Sequence, residues 1–287
     1  MSRIAYVNGR YVPHGRAAVH IEDRGYQFAD GVYEVCEIRD NAIVDETRHL
    51  DRLDRSLSEL SIAAPMTRKA LGVVLREVVR KNRVRDGVVY LQVTRGVAPR
   101  EHVFPSRAVA PAIVVTAHSH DRAAAEATAA AGASVITLPD NRWERVDIKT
   151  VGLLPNVLAK QAAKEAGARE AWFVDKDGYV TEGASTNAWI VTMDGALVTR
   201  PAEHGILRGI TRQGVLDLAA RRGLTVEERP FTVEEAKRAR EAFITAASTI
   251  VMPIIKIDDA TIGNGQPGSI TISLRHHFHD NVEKKAL

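Results

Sequence analysis

The sequence predicts a two-domain protein that mixes helix and strand, α+β / α/β in class, with a small α/β domain over residues 1–120 and a larger domain over residues 121–287. Three observations predict it. Apolar residues alternate with period two in short runs bounded by Gly, Asn and Asp, the pattern of half-buried strands. Between residues 47 and 83 the period changes to that of amphipathic helices. The polar tetrad His118-Ser119-His120-Asp121 and the alanine run 123–131 then interrupt the pattern and mark the domain boundary. With 287 residues and 45% hydrophobic content, the chain has the length and apolar mass to fill such cores.

Residues 5–12 alternate around Asn8-Gly9, a tight-hairpin signal. Residues 22–30 read as a Gly-punctuated loop leading into a strand over 32–38, with Tyr33 at its entry. Tyr33 admits two readings, a half-buried strand tyrosine or a phenol aimed at a ligand oxygen. Leu50, Leu53, Leu57 and Leu60 form one helical stripe, so His49, Arg52 and Arg55 share an adjacent face. An arginine there is either solvated or, turned inward, well suited to a phosphate. A second amphipathic helix over about 67–83 precedes a strand over 88–94. In the loop 95–105, Arg100 and His102 belong either to a solvated connector or to a carboxylate clamp. A buried strand over 112–117 follows.

Val146-Asp147-Ile148 reads as the end of a strand, and Pro155-Asn156 opens an Ala-rich helix reaching Ala166-Gly167. Lys149 lies between them. A lysine held so has a fixed amine, and reduced solvation with a second positive group nearby favours its nucleophilic form; a solvated strand-end charge is the plainer reading. Runs 171–175 and 179–182 flank Lys176-Asp177-Gly178, and runs 187–192 and 196–199 flank Met193-Asp194-Gly195, giving successive antiparallel strands. Glu182 stands at a strand end beside Gly183-Ala184-Ser185, where backbone can approach a ligand closely; an exposed strand-end glutamate is the alternative. Thr211 is placed to cap a helix running to about Arg222, whose first-turn amides attract an anion, and a plain N-cap has the same appearance. A strand over 242–246 ends in Ala247-Ser248-Thr249, whose amides and hydroxyls can complete such a cup. A hairpin around Gly263-Asn264-Gly265 and a helix from about Ser269 close the chain.

Several function classes fall away. No window approaches a membrane span, and Met1-Ser2-Arg3-Ile4 lacks the apolar core of a signal peptide, so a soluble, cytoplasmic protein is expected. Cys36 is the only cysteine, which excludes an intrachain disulfide. The net charge of +3 is spread along the chain, which argues against nucleic acid and suits small anionic ligands. The histidines at 118, 120, 276, 277 and 279 lack zinc-site spacing, so no metal is expected. Dinucleotide, Walker-type and Gly-flanked serine motifs are absent.

An aldehyde-binding lysine, a helix arginine, a phosphate-suited helix start and a strand-end glutamate together suggest pyridoxal phosphate. The stretches 22–35, His49-Leu50-Asp51-Arg52-Leu53, 95–105, Asp147-Ile148-Lys149, Thr181-Glu182-Gly183 and Gly209-Ile210-Thr211-Arg212 carry a resemblance. In that order they resemble the fold-type-IV pyridoxal-phosphate aminotransferases over essentially the whole chain, most of all the D-amino acid aminotransferases. The resemblance implies a small N-terminal α/β domain and a larger C-terminal pseudo-barrel domain that binds the cofactor. It implies Lys149 as the Schiff-base lysine and proton shuttle, and Glu182 as partner of the pyridine nitrogen. Arg52, the amides of Ile210 and Thr211, and Ser248 would hold the phosphate, with Leu207 near the ring. Tyr33, Arg100 and His102 would receive the substrate carboxylate, the last two from the neighbouring subunit of a homodimer. The implied reaction moves the amino group of a D-amino acid such as D-alanine to a 2-oxo acid such as 2-oxoglutarate by a ping-pong route. A branched-chain L-amino acid aminotransferase or an aminodeoxychorismate-lyase-type enzyme is the alternative. Arg100-Glu101-His102 resembles the D-specific clamp and discriminates between them. Ala247 and Ile250 depart from the family, which commonly has a hydroxyl and a glutamate in that segment.

Overall fold

The computed structural model describes residues 3–203 and 205–287. Two compact units are present. The first holds the described residues up to Arg122, with Ile148–Gly152 and Glu283–Leu287; the second holds Ala123–Asp147 and Leu153–Val282. No helix among the described residues is long and apolar enough to cross a membrane.

In the first unit, β1 (Ile4–Val7) and β2 (Arg10–Pro13) form the hairpin expected at Asn8-Gly9. Both turn residues have positive φ, 44° and 92°, the conformation that Asn-Gly adopts at least cost. The segment expected as a loop contains a short helix, α1 (Arg24–Phe28). Asp23 caps it by accepting from the Gly25 amide, and Ala29 ends it in the left-handed region. Then come β3 (Gly31–Arg39), β4 (Ala42–Val44), α2 (Glu46–Glu59), α3 (Arg68–Asn82), β5 (Gly87–Thr94) and β6 (Ala112–Ser119). The sheet order is Lys284–Ala286, β4, β3, β5, β6, β1, β2, and every pairing is antiparallel. This unit therefore lacks the parallel crossover of an α/β sheet and is α+β in kind. Leu50, Leu53 and Leu57 of α2 and Leu71, Leu75, Val78 and Val79 of α3 share one core with Val32, Val89, Leu91 and Val93 of the sheet. Burying each such side chain contributes roughly 1.5–3 kcal/mol. The polar boundary tetrad is partly strand, because His118 and Ser119 continue the β6 ladder opposite Val88 and Gly87.

Ile148–Gly152 joins this unit through backbone bonds. The Tyr33 amide donates to the Lys149 carbonyl at 3.0 Å, and the Val151 amide donates to the Gly31 carbonyl at 3.0 Å. The strand expected to end at Ile148 is instead a turn followed by a single bridge, Val32 to Thr150. Arg145 and Asp147 close that turn on each other, Nε to Oδ1 at 2.9 Å, which leaves no extended run to pair.

The second unit begins at Ala123, within α4 (Arg122–Ala131), in which the alanine run forms a helix as its propensity favours. It continues with β7 (Ala133–Pro139), α5 (Leu154–Glu165), β8 (Glu170–Val174), β9 (Val180–Gly183), β10 (Asn187–Val191), β11 (Leu197–Thr199) and α6 (Ile210–Arg221). After these come β12 (Val226–Glu228), α7 (Val233–Lys237), β13 (Glu241–Ala246), β14 (Ile250–Ile257), β15 (Ala260–Thr261) and α8 (Ser269–His277). The sheet runs β12-β11-β10-β13-β14-β7-β8-β9, with β15 on β14, and mixes parallel with antiparallel pairs. Its strands carry fully buried aromatics, and Trp189 stacks on Phe243 with centroids 5.3 Å apart. The last hairpin turns at Asp258-Asp259 rather than at Gly263-Asn264-Gly265, since Ile257 pairs with Ala260. Asp258 takes the positive φ that aspartate tolerates, and its carboxylate accepts from the Thr137 amide at 2.7 Å. The glycines follow as the next turn, closed by the Gly265 amide on the Ile262 carbonyl.

Candidate active site

Lys149 is half-buried, and its backbone is held on both sides. Its amide donates to Ser56 Oγ at 3.4 Å, and its carbonyl accepts from Tyr33. Its Nζ lies 4.1 Å from the centroid of the Tyr33 ring, within the range in which an aromatic face attracts an ammonium. The structure thus brings Lys149 and Tyr33 together.

Arg52 faces inward from α2 onto β3. Its Nε donates to Glu34 Oε1 at 2.7 Å and its Nη2 to Glu34 Oε2 at 2.8 Å, while His49 Nδ1 lies 2.7 Å from Oε2. Burial alone would raise the Glu34 carboxyl, but the charge and hydrogen bonds of Arg52 and His49 outweigh it and hold the group at about 2, below its ordinary 4.5. The planar guanidinium is therefore fixed in orientation by a bidentate pair. Sequence reasoning missed Glu34, although a signal was present: it alternates onto the same strand face as Val32, Cys36 and Ile38, which are buried.

Arg100 and His102 are exposed on their loop, and both lie against Phe28. The Arg100 Cζ is 5.1 Å from the ring centroid, and the His102 ring is 5.4 Å away centre to centre.

In the second unit, Glu182 at the end of β9 is buried rather than exposed. Its Oε1 accepts from Arg142 Nη1, and its Oε2 accepts from Asn187 Nδ2 at 3.0 Å and the Leu207 amide at 3.1 Å. Arg142 also donates to Asp140 at 2.8 Å and lies over the Phe173 ring. Burial opposes its charge, yet hydrogen bonding to Asp140 and the charges of Glu182 and Asp140 hold the guanidinium firmly protonated, above its ordinary value. Leu207 is tied into the same network, because its carbonyl accepts from Asn187 Nδ2 at 2.9 Å. Arg142 and Asn187 are supporting residues that sequence reasoning did not find.

Helix α6 starts at Ile210 with Gly209 as its N-cap, so Thr211 lies inside the helix and does not cap it. A Cβ on Gly209 would stand 2.0 Å from Asn187 Oδ1. Glycine is required there to admit the side chain that holds Glu182. The amides of Ile210 and Thr211 belong to the first turn, which has no intrahelical acceptors and carries the positive end of the helix dipole. Ser248 is exposed in the turn after β13, whereas its neighbour Thr249 places Oγ1 in the interior without a hydrogen-bond partner among the described residues. A buried donor of that kind fits an acceptor-rich group such as a phosphate.

The profile of the family described as "Amino-transferase class IV" matches residues 31–257. The chain belongs to that family. This class IV amino-transferase is 42% identical over 275 residues to a D-alanine aminotransferase of Bacillus licheniformis, covering 96% of this chain and 95% of the relative. It is 38% identical to a D-alanine aminotransferase of Staphylococcus haemolyticus, with 98% of both chains covered. Among solved structures it matches the branched-chain amino acid aminotransferase of T.th. with pyridoxamine 5'-phosphate at a TM-score of 0.89 and 27% identity, covering 98% of this chain and 94% of that one.

Proposed function

We propose that this class IV amino-transferase moves the amino group of a D-amino acid such as D-alanine to a 2-oxo acid such as 2-oxoglutarate, using pyridoxal phosphate. The observation that carries this reading is the 42% identity to a D-alanine aminotransferase across 96% of the chain. The structural match to a branched-chain enzyme favours a second reading, an L-branched-chain aminotransferase, but at 27% identity. The Arg100-Glu101-His102 triplet keeps the D-amino acid reading ahead.

Features of each unit suit the cofactor: in the first, Lys149, whose backbone is held by Ser56 and Tyr33 and whose Nζ lies over the Tyr33 ring; in the second, a buried carboxylate met by three donors at Glu182, helix-start amides at Ile210 and Thr211, and a buried hydroxyl at Thr249 with no partner among the described residues. When bound, pyridoxal phosphate supplies an electron-accepting ring that eases removal of the α-proton. Lys149 is the residue assigned to its aldehyde, and Nζ is the base that takes the proton from the donor Cα. The Tyr33 ring, 4.1 Å from Nζ, supports the amine from one side. Glu182 is assigned to the pyridine nitrogen, with Arg142 and Asn187 fixing the carboxylate. Arg52, oriented by Glu34, binds the phosphate with the amides of Ile210 and Thr211 and the turn containing Ser248. Leu207 lies near the ring.

Tyr33, Arg100 and His102 receive the substrate carboxylate. With the base fixed on one side, the enantiomer that presents its α-hydrogen to Lys149 while its carboxylate occupies the clamp is the one that reacts. Arg100 and His102 act on the site of the neighbouring subunit in a homodimer. That assignment is supported by the exposed apolar side chains Ile21, Tyr26, Val103 and Phe104, which a partner would cover. Such an enzyme works in the cytoplasm.

The test is the visible absorbance of the cofactor-loaded enzyme, followed as D-alanine and, separately, L-leucine is added without a 2-oxo acid. Bleaching by D-alanine alone is expected. Bleaching by L-leucine alone transfers the function to the branched-chain class, and a colourless protein that pyridoxal phosphate cannot reconstitute refutes the cofactor reading.

A further inference from the structure

We propose that Arg24 and Phe28, on the short helix α1, are positioning residues for Arg100 and His102; the inference rests on the carboxylate-binding role given to that pair above. The loop 95–105 has no helix or extended strand of its own, and both side chains are exposed. An exposed arginine and histidine bind a carboxylate well only if something else bears the cost of ordering them.

Arg24 is the pin. It is buried, its Nε donates to Asp30 Oδ2 at 2.8 Å, and its Nη1 donates to the Glu101 carbonyl at 2.6 Å. Glu101 is the residue between Arg100 and His102, so the bond fixes the backbone at the centre of the clamp. The two bonds leave the guanidinium from different edges, a geometry that a lysine ammonium cannot reproduce.

Phe28 is the platform. Arg24 Cζ lies 4.8 Å from its ring centroid, Arg100 Cζ 5.1 Å, and the His102 ring 5.4 Å. Three side chains share one aromatic ring, and two of them form the clamp. A cation beside an aromatic face is held there by the ring's charge distribution as well as by contact.

Arg95 anchors the base of the loop. It donates to Asp30 at 2.7 and 3.0 Å and to the Ser61 and Leu60 carbonyls at 2.9 and 2.7 Å, with its Cζ 3.7 Å from the Phe104 ring centroid. Asp30 thus joins Arg24 and Arg95, and the loop is held at Glu101 and again at Phe104.

The experiment uses the cofactor-loaded enzyme and the variants Arg24→Lys, Phe28→Leu, Arg100→Ala and Arg24→Lys/Arg100→Ala. Arg24→Lys is expected to raise the KM for D-alanine and for pyruvate, and the inhibition constant of acetate, by about 10-fold, the scale of one lost hydrogen bond to a charged group, and Phe28→Leu to raise them by about 3- to 5-fold, the scale of a lost cation–π contact at an exposed site. The kcat and the affinity for pyridoxal phosphate are expected to change by less than about 2-fold, since the loss is confined to binding. In the Arg100→Ala background, Arg24→Lys is expected to add clearly less than it costs alone, because only His102 is left for it to position and residues acting through one another are non-additive. Unchanged KM and acetate constants in both positioning variants, with a large effect of Arg100→Ala, overturn the inference and leave the clamp standing. Full additivity in the double variant also overturns it. If Arg100→Ala itself changes nothing, the clamp reading fails, and the positioning role with it. Phe28 is only half-buried, so Phe28→Leu decides the matter even if Arg24→Lys fails to fold.

Discussion

Replacing Glu34 with glutamine removes one charge from a buried ion pair and leaves its shape almost unchanged. In the native protein the carboxylate is fully enclosed, holds Arg52 by two bonds of 2.7 and 2.8 Å, and sits 2.7 Å from His49. A carboxyl held at about 2 in place of 4.5 corresponds to about 3 kcal/mol of stability at neutral pH. That magnitude agrees with the roughly 3–5 kcal/mol lost when one partner of a buried ion pair is removed. Because the folded value is the lower one, the contribution is fully present above the unfolded value near 4.5 and is lost as the pH falls towards 2. Urea denaturation of the wild type and Glu34→Gln should therefore differ by about 3 kcal/mol at pH 7, and by less than about half of that at pH 3. The same variant should weaken pyridoxal phosphate binding, since Arg52 loses the fork that orients it. An equal gap at pH 7 and pH 3, or no gap at pH 7, would refute the reasoning.

Lys149→Ala should lower turnover of D-alanine and 2-oxoglutarate by at least about 10,000-fold, since nucleophile and base are lost together; near-normal turnover in a coupled assay would end the assignment. Gly209→Ala brings a Cβ to 2.0 Å from Asn187 Oδ1. It should cost about 1–3 kcal/mol and displace the side chain that holds Glu182. Thermal melting checks the first effect and the visible spectrum the second, and an unchanged melting temperature speaks against the tight fit. Thr245→Val removes the acceptor of the Trp189 indole, bonded at 3.0 Å. Its cost should be about 1–3 kcal/mol, read by chemical denaturation followed by tryptophan fluorescence, and a neutral result would mean that the indole finds another partner.

Local features were legible in the sequence, and features made by distant pairing were not. Asn8-Gly9 and the leucine stripe of α2 depend on neighbours within a few residues, and the structure has both. Strand β14 is a nearly continuous apolar run containing Pro253, which carries no period-two signal; it is recognised as strand through antiparallel pairing with β13 and parallel pairing with β7. Strand β12, Val-Glu-Glu, has no pattern at all and exists through its parallel partner β11. Among the candidate residues, Lys149, Glu182 and Arg52 were singled out by residue type and local setting together with the family resemblance. Their supports were hidden because Arg142 and Asn187 reach Glu182 from 40 and 5 positions away. Thr211 was misread as a cap because hydroxyl residues favour that position, while the helix starts one residue earlier, capped by Gly209, where Asn187 leaves no room for a side chain.

The strand Lys284–Ala286 pairs with Ala42–Val44, and the Glu283 amide reaches Asp45 across 238 positions. A ribosome adding about 5–20 residues per second makes β4 on the order of tens of seconds before its outer neighbour exists. Throughout that interval the nascent chain bears an open strand edge, a surface that any other growing chain can pair with. The order of birth of the segments, and not only their final packing, therefore sets the period in which this enzyme most needs a chaperone.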